Sequence, residues 1–383
     1  MGNTLLLTEE QRLLKKTIAD FCEKKIKPNA QRLDSTEEFP TENLKGLASL
    51  GVMGTGIDPE LGGAIGGYQE LAIIAEEIAK VCAGTSTSFI AHVSLTLATI
   101  YKFSNQVQRK KFVPNMIDGS QIGAWCLTEP DCGSDASALS ADVQKVNDSY
   151  ILNGTKIFIT NAKEAAHLVV FARLNSQPGS KGIICLVVDN SSPSITITPI
   201  KGKMGIRASS TAEVIFNNTI VPYSNLLGNE TDGFKIAMQI LDSSRIIIAA
   251  QAVGIAQGAL DAAISYSKQR QTFNQPIAQH QAIQFMLADS ATRIEAARLL
   301  TRQAAILKDQ ELPHTKESAM AKLYASETAH FVTDKAVQIH GGYGFFKDNP
   351  VERYYRDAKV TEIYEGSSEI QRLVIAREIL NKF

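Results

Sequence analysis

The 383-residue chain reads as an α+β multidomain protein. It divides into an N-terminal helical domain over residues 1–120, a middle β-sandwich or barrel domain over 121–231, and a C-terminal helical-bundle domain over 232–383. Three observations predict this. Apolar residues recur at helical spacing up to about residue 120 and fall into short β-branched runs up to about 230; beyond that the helical spacing returns. The length favours two or three domains. The last segment holds long proline-free stretches, the mark of a bundle.

In the first segment Thr8-Glu9-Glu10-Gln11 has capping-box spacing. After it Leu13, Ile18, Phe21 and Ile26 roughly follow one helical face, and Pro40-Thr41-Glu42-Asn43 opens another helix. The glycine-rich stretch Leu61–Gly67 predicts a flexible loop before a helix over Tyr68–Val81 and the small-residue stretch Ala83–Ile100. In the middle segment Tyr150–Leu152, Lys156–Thr160, His167–Phe171, Ile183–Val188, Ile195–Thr198 and Glu213–Phe216 read as strands. Asn153-Gly154, Pro178-Gly179 and Asn217-Asn218 punctuate them as turns. The last segment predicts long helices over Ile236–Gln269, Ile283–Lys308 and Glu317–His340.

Composition narrows the function. With 39 basic and 40 acidic side chains and no basic block, neither nucleic acid nor an anionic membrane is an expected partner. Five cysteines without a C-x-x-C pair suit free thiols in a reducing compartment. The six histidines are scattered, so no metal site is expected. Met1–Leu6 fits neither a signal peptide nor a myristoylation pattern, and Asn381-Lys382-Phe383 carries no peroxisomal address. No uninterrupted apolar run approaches the length of a membrane span. A cytoplasmic location is expected, and a mature organellar form fits the same features.

Five segments carry candidate chemistry. In Tyr364-Glu365-Gly366-Ser367-Ser368-Glu369-Ile370-Gln371, Ser368 and Gln371 have capping-box spacing, so a helix begins there and Glu365 precedes it in a glycine turn. Free amides at a helix N-terminus can hold a ligand oxygen, and the carboxylate beside them can act as a base. On spacing alone a solvated acidic loop residue is the commoner case. Trp125–Asp135 is a turn rich in hydroxyls and backbone donors at the α-to-β junction, where ligand sites concentrate; an ordinary Pro-Asp-x-Gly turn has the same look. Gln338-Ile339-His340-Gly341-Gly342 ends a helix with glycines that permit close backbone approach, as a plain C-cap also would. Lys268–Pro276 places Arg270 and Phe273 at the end of a long helix, able to hold a diphosphate and flank a ring. Asp242-Ser243-Ser244-Arg245 lies inside that helix, where Asp242 and Arg245 could simply pair on its surface.

Taken together and in this order, the segments resemble the acyl-CoA dehydrogenase family over essentially the whole chain. Leu127-Thr128-Glu129-Pro130 with Gly133-Ser134-Asp135, Ile157–Asn161, Gln338 with Gly341-Gly342, and Tyr364-Glu365-Gly366 carry the likeness. Gly205–Thr211 and Ile248–Ala252 look most like the short-chain, butyryl-type members. The resemblance implies a C-terminal four-helix bundle, bound FAD, a homotetramer and an electron-transfer flavoprotein as acceptor. It places Trp125, Cys126, Leu127, Thr128, Gly133, Ser134, Phe158, Ile159 and Thr160 along the flavin ring. Arg270, Phe273 and Gln281, with Gln338 to Gly342, would reach the diphosphate and adenosine across a subunit interface. Ser367, Ser368 and Glu369 would also contact FAD. Ser134, Asp242, Ser243, Ser244, Arg245 and Gly366 would meet the acyl thioester.

The implied reaction is α,β-desaturation of a short- to medium-chain acyl-CoA. Glu365 takes the α-proton as the β-hydride passes to flavin N5. Burial beside flavin and acyl chain is expected to raise the Glu365 pKa. Phe158 stands where many members have Trp, Ser367 replaces Thr, and Asp131-Cys132 replaces a smaller pair. Some branched-chain members carry the base at the position of Ser244, which serine cannot serve. Two rival readings remain: a dehydrogenase or oxidase of acyl or aminoacyl groups on a carrier protein, and a non-catalytic assembly protein on this scaffold.

Overall fold

The computed structural model describes residues 7–380. The terminal stretches read above for targeting signals, Met1–Leu6 and Asn381–Phe383, lie outside them. The N-terminal helices are α1 (Glu9–Phe21), α2 (Lys27–Thr36), α3 (Thr41–Ser49), α4 (Tyr68–Ala79), α5 (Ala83–Ile90), α6 (Ala98–Phe103) and α7 (Gln106–Ile117). The Thr8 capping box forms as its spacing requires: the Gln11 amide donates to Thr8 Oγ1 and the Thr8 amide to Gln11 Oε1. Short π-helical turns at Cys22–Ile26 and Ala91–Leu97 join α1 to α2 and α5 to α6. Residues 61–67 are pinned rather than free. Ala64 exchanges backbone bonds with Gly54 and Gly56, and Gly63 packs against Ile57 so closely that a Cβ would lie 2.2 Å from its carbonyl oxygen.

The middle segment is one hydrogen-bonded sheet. Its strands are β1 (Ile122–Cys126), β2 (Asp142–Val146), β3 (Ser149–Thr160), β4 (Ala165–Leu174), β5 (Ile183–Asp189), β6 (Ile195–Pro199), β7 (Thr211–Pro222) and β8 (Leu226–Leu227). The order is β6-β7-β3-β2-β4-β5-β8, with β1 parallel to β4. β5 and β7 meet although β3, β2 and β4 separate them in that order, so the sheet curls over its own core. Leu168, Val170 and Ala172 point into that core, whereas Val169 and Phe171 face the helices. Burial on both faces explains the unbroken apolar runs.

Two expected turns are corrected. Asn153-Gly154 and Asn217-Asn218 do not end strands; they face each other as irregularities inside β3 and β7. An Asn-Gly pair resembles a hairpin turn because both residues tolerate positive φ. Here the same tolerance serves a bulge, and the Asn218 amide donates to Asn153 Oδ1 at 2.7 Å in place of a ladder bond.

Five helices follow: α8 (Gly233–Gln269), α9 (Gln281–Asp309), α10 (Thr315–His340), α11 (Pro350–Val360) and α12 (Ser368–Leu380). A small hairpin of β9 (Gln271–Thr272) and β10 (Gln275–Pro276) lies between α8 and α9. By composition α8 is long and apolar enough to cross a membrane, yet 83% of its most apolar window is buried inside the protein. It packs against α4, α5, α9, α10 and α11. Close approach depends on small residues. A Cβ at Gly254 would lie 2.2 Å from the Glu76 carbonyl oxygen of α4, and one at Gly258 would lie 2.3 Å from that of Lys80.

Helix propensity alone favours Gly254→Ala by up to about 1 kcal/mol. The contact with α4 reverses the sign: we expect a loss of about 1–3 kcal/mol from overpacking. Thermal unfolding of the variant checks this, and a midpoint at or above the parent's would contradict the close crossing.

Candidate active site

The site centres on the turn between α11 and α12. Glu365 and Gly366 follow one another with φ of 53° and 95°. Glycine adopts that region freely, whereas glutamate there costs about 1–3 kcal/mol. Donors from three helices hold the strained turn. Arg245 Nε of α8 donates to the Glu365 carbonyl at 3.2 Å. Lys322 Nζ of α10 donates to the Gly366 carbonyl at 2.7 Å. Gln371 Nε2 of α12 reaches both, at 3.3 and 2.8 Å.

These contacts correct the expected cap. The Ile370 amide donates to Ser367 Oγ, so Ser367, not Ser368, caps α12. Gln371 completes no capping box: the Ser368 amide donates to the Glu362 carbonyl at 2.9 Å instead, and Gln371 Nε2 serves the two turn carbonyls. Ser368 is buried, and Glu369 is exposed. With the carbonyls held on one side, the amides of Glu365, Gly366 and Ser367 meet no acceptor among the described residues.

The carboxyl group of Glu365 is partly enclosed, on a residue that is half-buried overall. Its Oε2 is buried without a partner. Burial pushes its pKa up to about 7, against the lowering pull of the Ser244 hydroxyl, Lys322 and Arg245. Ser244 is itself fully buried and shares a 2.8 Å hydrogen bond with Ser94, from the π-helical turn after α5. The position that could have carried a rival base therefore lies beside Glu365 and holds only a hydroxyl. Arg245 Nη1 bonds Asp242 Oδ1 at 2.7 Å, and Thr315 Oγ1 donates to Asp242 Oδ2. This is no surface pair, since Arg245 is only 5% exposed. Ser243 is buried and donates to the Gln239 carbonyl at 3.1 Å, while burial pushes the Tyr68 hydroxyl up to about 12, with Asp309 and Glu365 adding to the rise.

The expected flavin-ring segments also converge. Trp125 and Cys126 stand on β1, ahead of the turn. Trp125 Nε1 donates to Thr99 Oγ1 at 3.2 Å, and its ring meets Phe171 edge-on. The side chains of Cys126, Leu127 and Ile159 are buried, so only their backbones can face a ligand. The Ile157 amide donates to the Thr128 carbonyl at 3.0 Å and ties β3 to the loop. Just beyond, the β3–β7 register breaks between Lys156 and Ile159. At that bulge Phe158 takes φ of 59° and turns its ring outward, 64% exposed. Thr160 is half-buried, while Gly133 and Ser134 are exposed.

Beneath the loop lies a buried ion pair. Lys156 Nζ donates to Glu129 Oε1 at 2.6 Å and to the Leu127 carbonyl at 3.0 Å. Glu129 also accepts the Ser140 and Ala141 amides. Although burial opposes ionisation, Lys156 and those amides hold Glu129 below its ordinary pKa.

The remaining candidates form a separate place. Arg270, Ile339, His340, Gly341 and Gly342 line a cleft of about 660 Å³ where α8 and α10 end. His340 stacks on Tyr266 at 4.3 Å. Exposed Gln281 begins α9 beside the lining residues Ala282 and Ile283, and Gln338 is exposed in the last turn of α10. Phe273 and Asn274, both at positive φ, make the β9–β10 turn, with Phe273 91% exposed. A Cβ added at Gly133, Gly341 or Gly342 would meet nothing within 4 Å. Open backbone, a guanidinium and outward aromatic rings suit a large planar cofactor with a diphosphate, so these residues fit FAD. Glu365, Phe158 and Phe273 all sit at positive φ, the backbone strain that clusters at functional sites. A second cavity of about 300 Å³, beside α1, α4 and α9, contains none of the candidates.

Comparison with known proteins now defines the class. The chain matches the acyl-CoA dehydrogenase N-terminal domain over residues 8–120, the middle domain over 124–219 and the C-terminal domain over 231–380. It belongs to the acyl-CoA dehydrogenase family. It is 47% identical to the mitochondrial short-chain specific acyl-CoA dehydrogenase of Rattus norvegicus, over 98% of this chain and 92% of that one. It is equally 47% identical to the acryloyl-CoA reductase (NADH) of Anaerotignum propionicum, over 98% and 96% of the two chains. The solved butyryl-CoA dehydrogenase of Megasphaera elsdenii superposes with a TM-score of 0.95 at 42% identity, covering 98% of this chain and 99% of that one.

Several site residues gave little local signal. Ser94 lies in a small-residue stretch, and the Lys156–Glu129 pair spans 27 positions. Lys322 shares a helical face with buried Ser318, Ala325 and Ala329, a register that marks it as an inward lysine. Lys156→Met strands the Glu129 charge. We expect a loss of about 3–5 kcal/mol, read by thermal unfolding, with faster proteolysis of the 127–135 loop. Adding Glu129→Gln should recover part of the loss; no recovery would mean that the lysine acts by packing alone.

Proposed function

We propose that this protein is an FAD-dependent dehydrogenase that desaturates acyl-CoA thioesters between Cα and Cβ, with short- to medium-chain acyl groups preferred. The observation that carries the reading is a buried, half-unpartnered carboxylate, Glu365, beside unclaimed backbone amides on a rigid turn. An α-proton next to a thioester is weakly acidic, so it yields only when the carbonyl oxygen is polarised as the base pulls. The amide of Glu365 is free to polarise it, and the Glu365 carboxylate takes the proton from Cα. FAD, when bound, accepts the hydride from Cβ. Trp125, Thr128, Ser134, Phe158 and Thr160 support the flavin ring, and Ser134 borders the thioester. Asp242 through Arg245 and Gly366 line the substrate arm. Burial keeps water from competing for the proton and tunes Glu365 towards neutrality, where a general base works best.

The flavin contacts divide between copies of the chain. From Ser244 to Gln269 the helix α8 advances about 37 Å at 1.5 Å per residue. That is farther than one dinucleotide bridges. The cleft of Arg270, Gln281 and Gln338 to Gly342 would therefore hold the diphosphate end of an FAD that serves the Glu365 site of another protomer. The exposed rings of Phe273, Phe345 and Phe346 around it suit burial in that interface, within a homotetramer. We assign an electron-transfer flavoprotein as the electron partner and the cytoplasm, or an organelle matrix, as the location. One active-site geometry serves desaturation and its reverse; the electron partner sets the direction.

Two outcomes follow. Glu365→Gln should keep bound FAD yet slow anaerobic flavin bleaching by butyryl-CoA about 10²–10⁴-fold; bleaching at the parent rate would sink the assignment. The base must be ionised, and its pKa is raised to about 7. The kcat/KM of the parent should therefore fall as pH drops through about 7 and level off above it. Bleaching panels from C4 to C16 acyl-CoA and a carrier-bound acyl analogue test the acyl and carrier preference.

A further inference from the structure

We infer that Lys322 is a positioning residue for Glu365: its buried ammonium orients the 365–366 turn and stabilises the ionised form of the base. This rests on the reading of Glu365 given above. Lys322 is fully buried on α10, and no carboxylate among the described residues lies within ion-pair distance of its Nζ. Its bond to the Gly366 carbonyl could be made by a neutral donor, and Gln371 Nε2 already donates to that same oxygen. A charge enclosed in this way is costly unless it interacts with another charge.

The surroundings identify that charge. The groups around Lys322 are Glu365 and Glu362 of the turn, Arg245 of α8 and Glu369 of α12. Arg245 is already paired with Asp242 and faces Arg377 of α12. Glu369 is exposed, and Glu362 is bonded by Lys359. Ser244 of α8 and Tyr68 of α4 complete the enclosure of Glu365 and carry no charge of their own at neutral pH. Glu365, with one oxygen buried and unpaired, is left as the enclosed carboxylate whose charge Lys322 can balance. Burial lowers Lys322 to about 8, so it is cationic over the range in which Glu365 ionises. Balance without direct contact has a use: a tight ion pair would cap the carboxylate oxygen and block proton abstraction, whereas a cation on the backbone side leaves the carboxylate free to face the substrate.

The test compares Lys322→Gln, which keeps a donor for Gly366 but removes the charge, with Lys322→Arg, which keeps the charge. Losing a neighbouring cation raises a carboxyl pKa, typically by about one unit or more. In the FAD-loaded Lys322→Gln enzyme, the acid limb of anaerobic bleaching by butyryl-CoA should move at least one pH unit upward. Bleaching should then be about tenfold slower at pH 6 and recover in alkali. Lys322→Arg should keep the parent limb. A second readout needs no turnover: the carboxyl infrared band that vanishes in Glu365→Gln, titrated in the resting enzyme, should shift with Lys322→Gln by the same amount. Superimposable profiles, a loss independent of pH, or an equal shift in both variants would overturn the inference. If Lys322→Gln fails to fold, a displaced limb in Lys322→Arg would overturn it alone. Normal bleaching by Glu365→Gln would instead overturn the base assignment itself.

Discussion

Everything at the site depends on the burial of α8. This 37-residue helix is enclosed by α4, α5, α9, α10 and α11 and, through Ile236, Ala237, Ile240 and Leu241, by the helical face of the sheet. Its polar residues are consequently pressed against partners rather than water. Ser244 is placed beside Glu365, Arg245 is held in a dry fork between Asp242 and the turn, and Gln251 accepts the Tyr364 hydroxyl while donating to Thr87 and the Ala83 carbonyl. The glycines at 254 and 258 make the enclosure possible by letting neighbouring backbones come within van der Waals reach.

That enclosure gives an ordinary loop carboxylate the raised pKa that the proposed base needs near neutral pH. Desolvation raises Glu365; Ser244, Lys322 and Arg245 limit the rise. Strain acts in the same place. Two successive positive-φ residues turn the carbonyls towards three donors and leave the amides without an acceptor among the described residues. Cost and function are thus one feature, since a relaxed turn would satisfy its own amides.

The segments proposed to hold the flavin use a similar device. The β3 bulge exposes Phe158, and the Lys156–Glu129 pair stiffens the loop opposite. Both depend on long-range pairing within the curled sheet. Asn153-Gly154 illustrates the limit of local reading: the pair is compatible with a hairpin or a bulge, and the facing Asn218 on β7 decides for the bulge.

Sequence by itself determined the alternation of helical and β segments and the long helix after residue 232, and it singled out Glu365 and the segments expected to frame a flavin. Each is written in local spacing or in a motif, where side-chain periodicity and backbone tolerance act over a few residues. Tertiary structure alone decided the burial of the Asp242–Arg245 pair, the proximity of Ser94 and Ser244 to the Glu365 carboxyl, and the bond of Lys322 to the 365–366 turn. Those depend on contacts between residues 44 to 150 positions apart, where desolvation and Coulomb attraction act through space and leave no trace in local spacing.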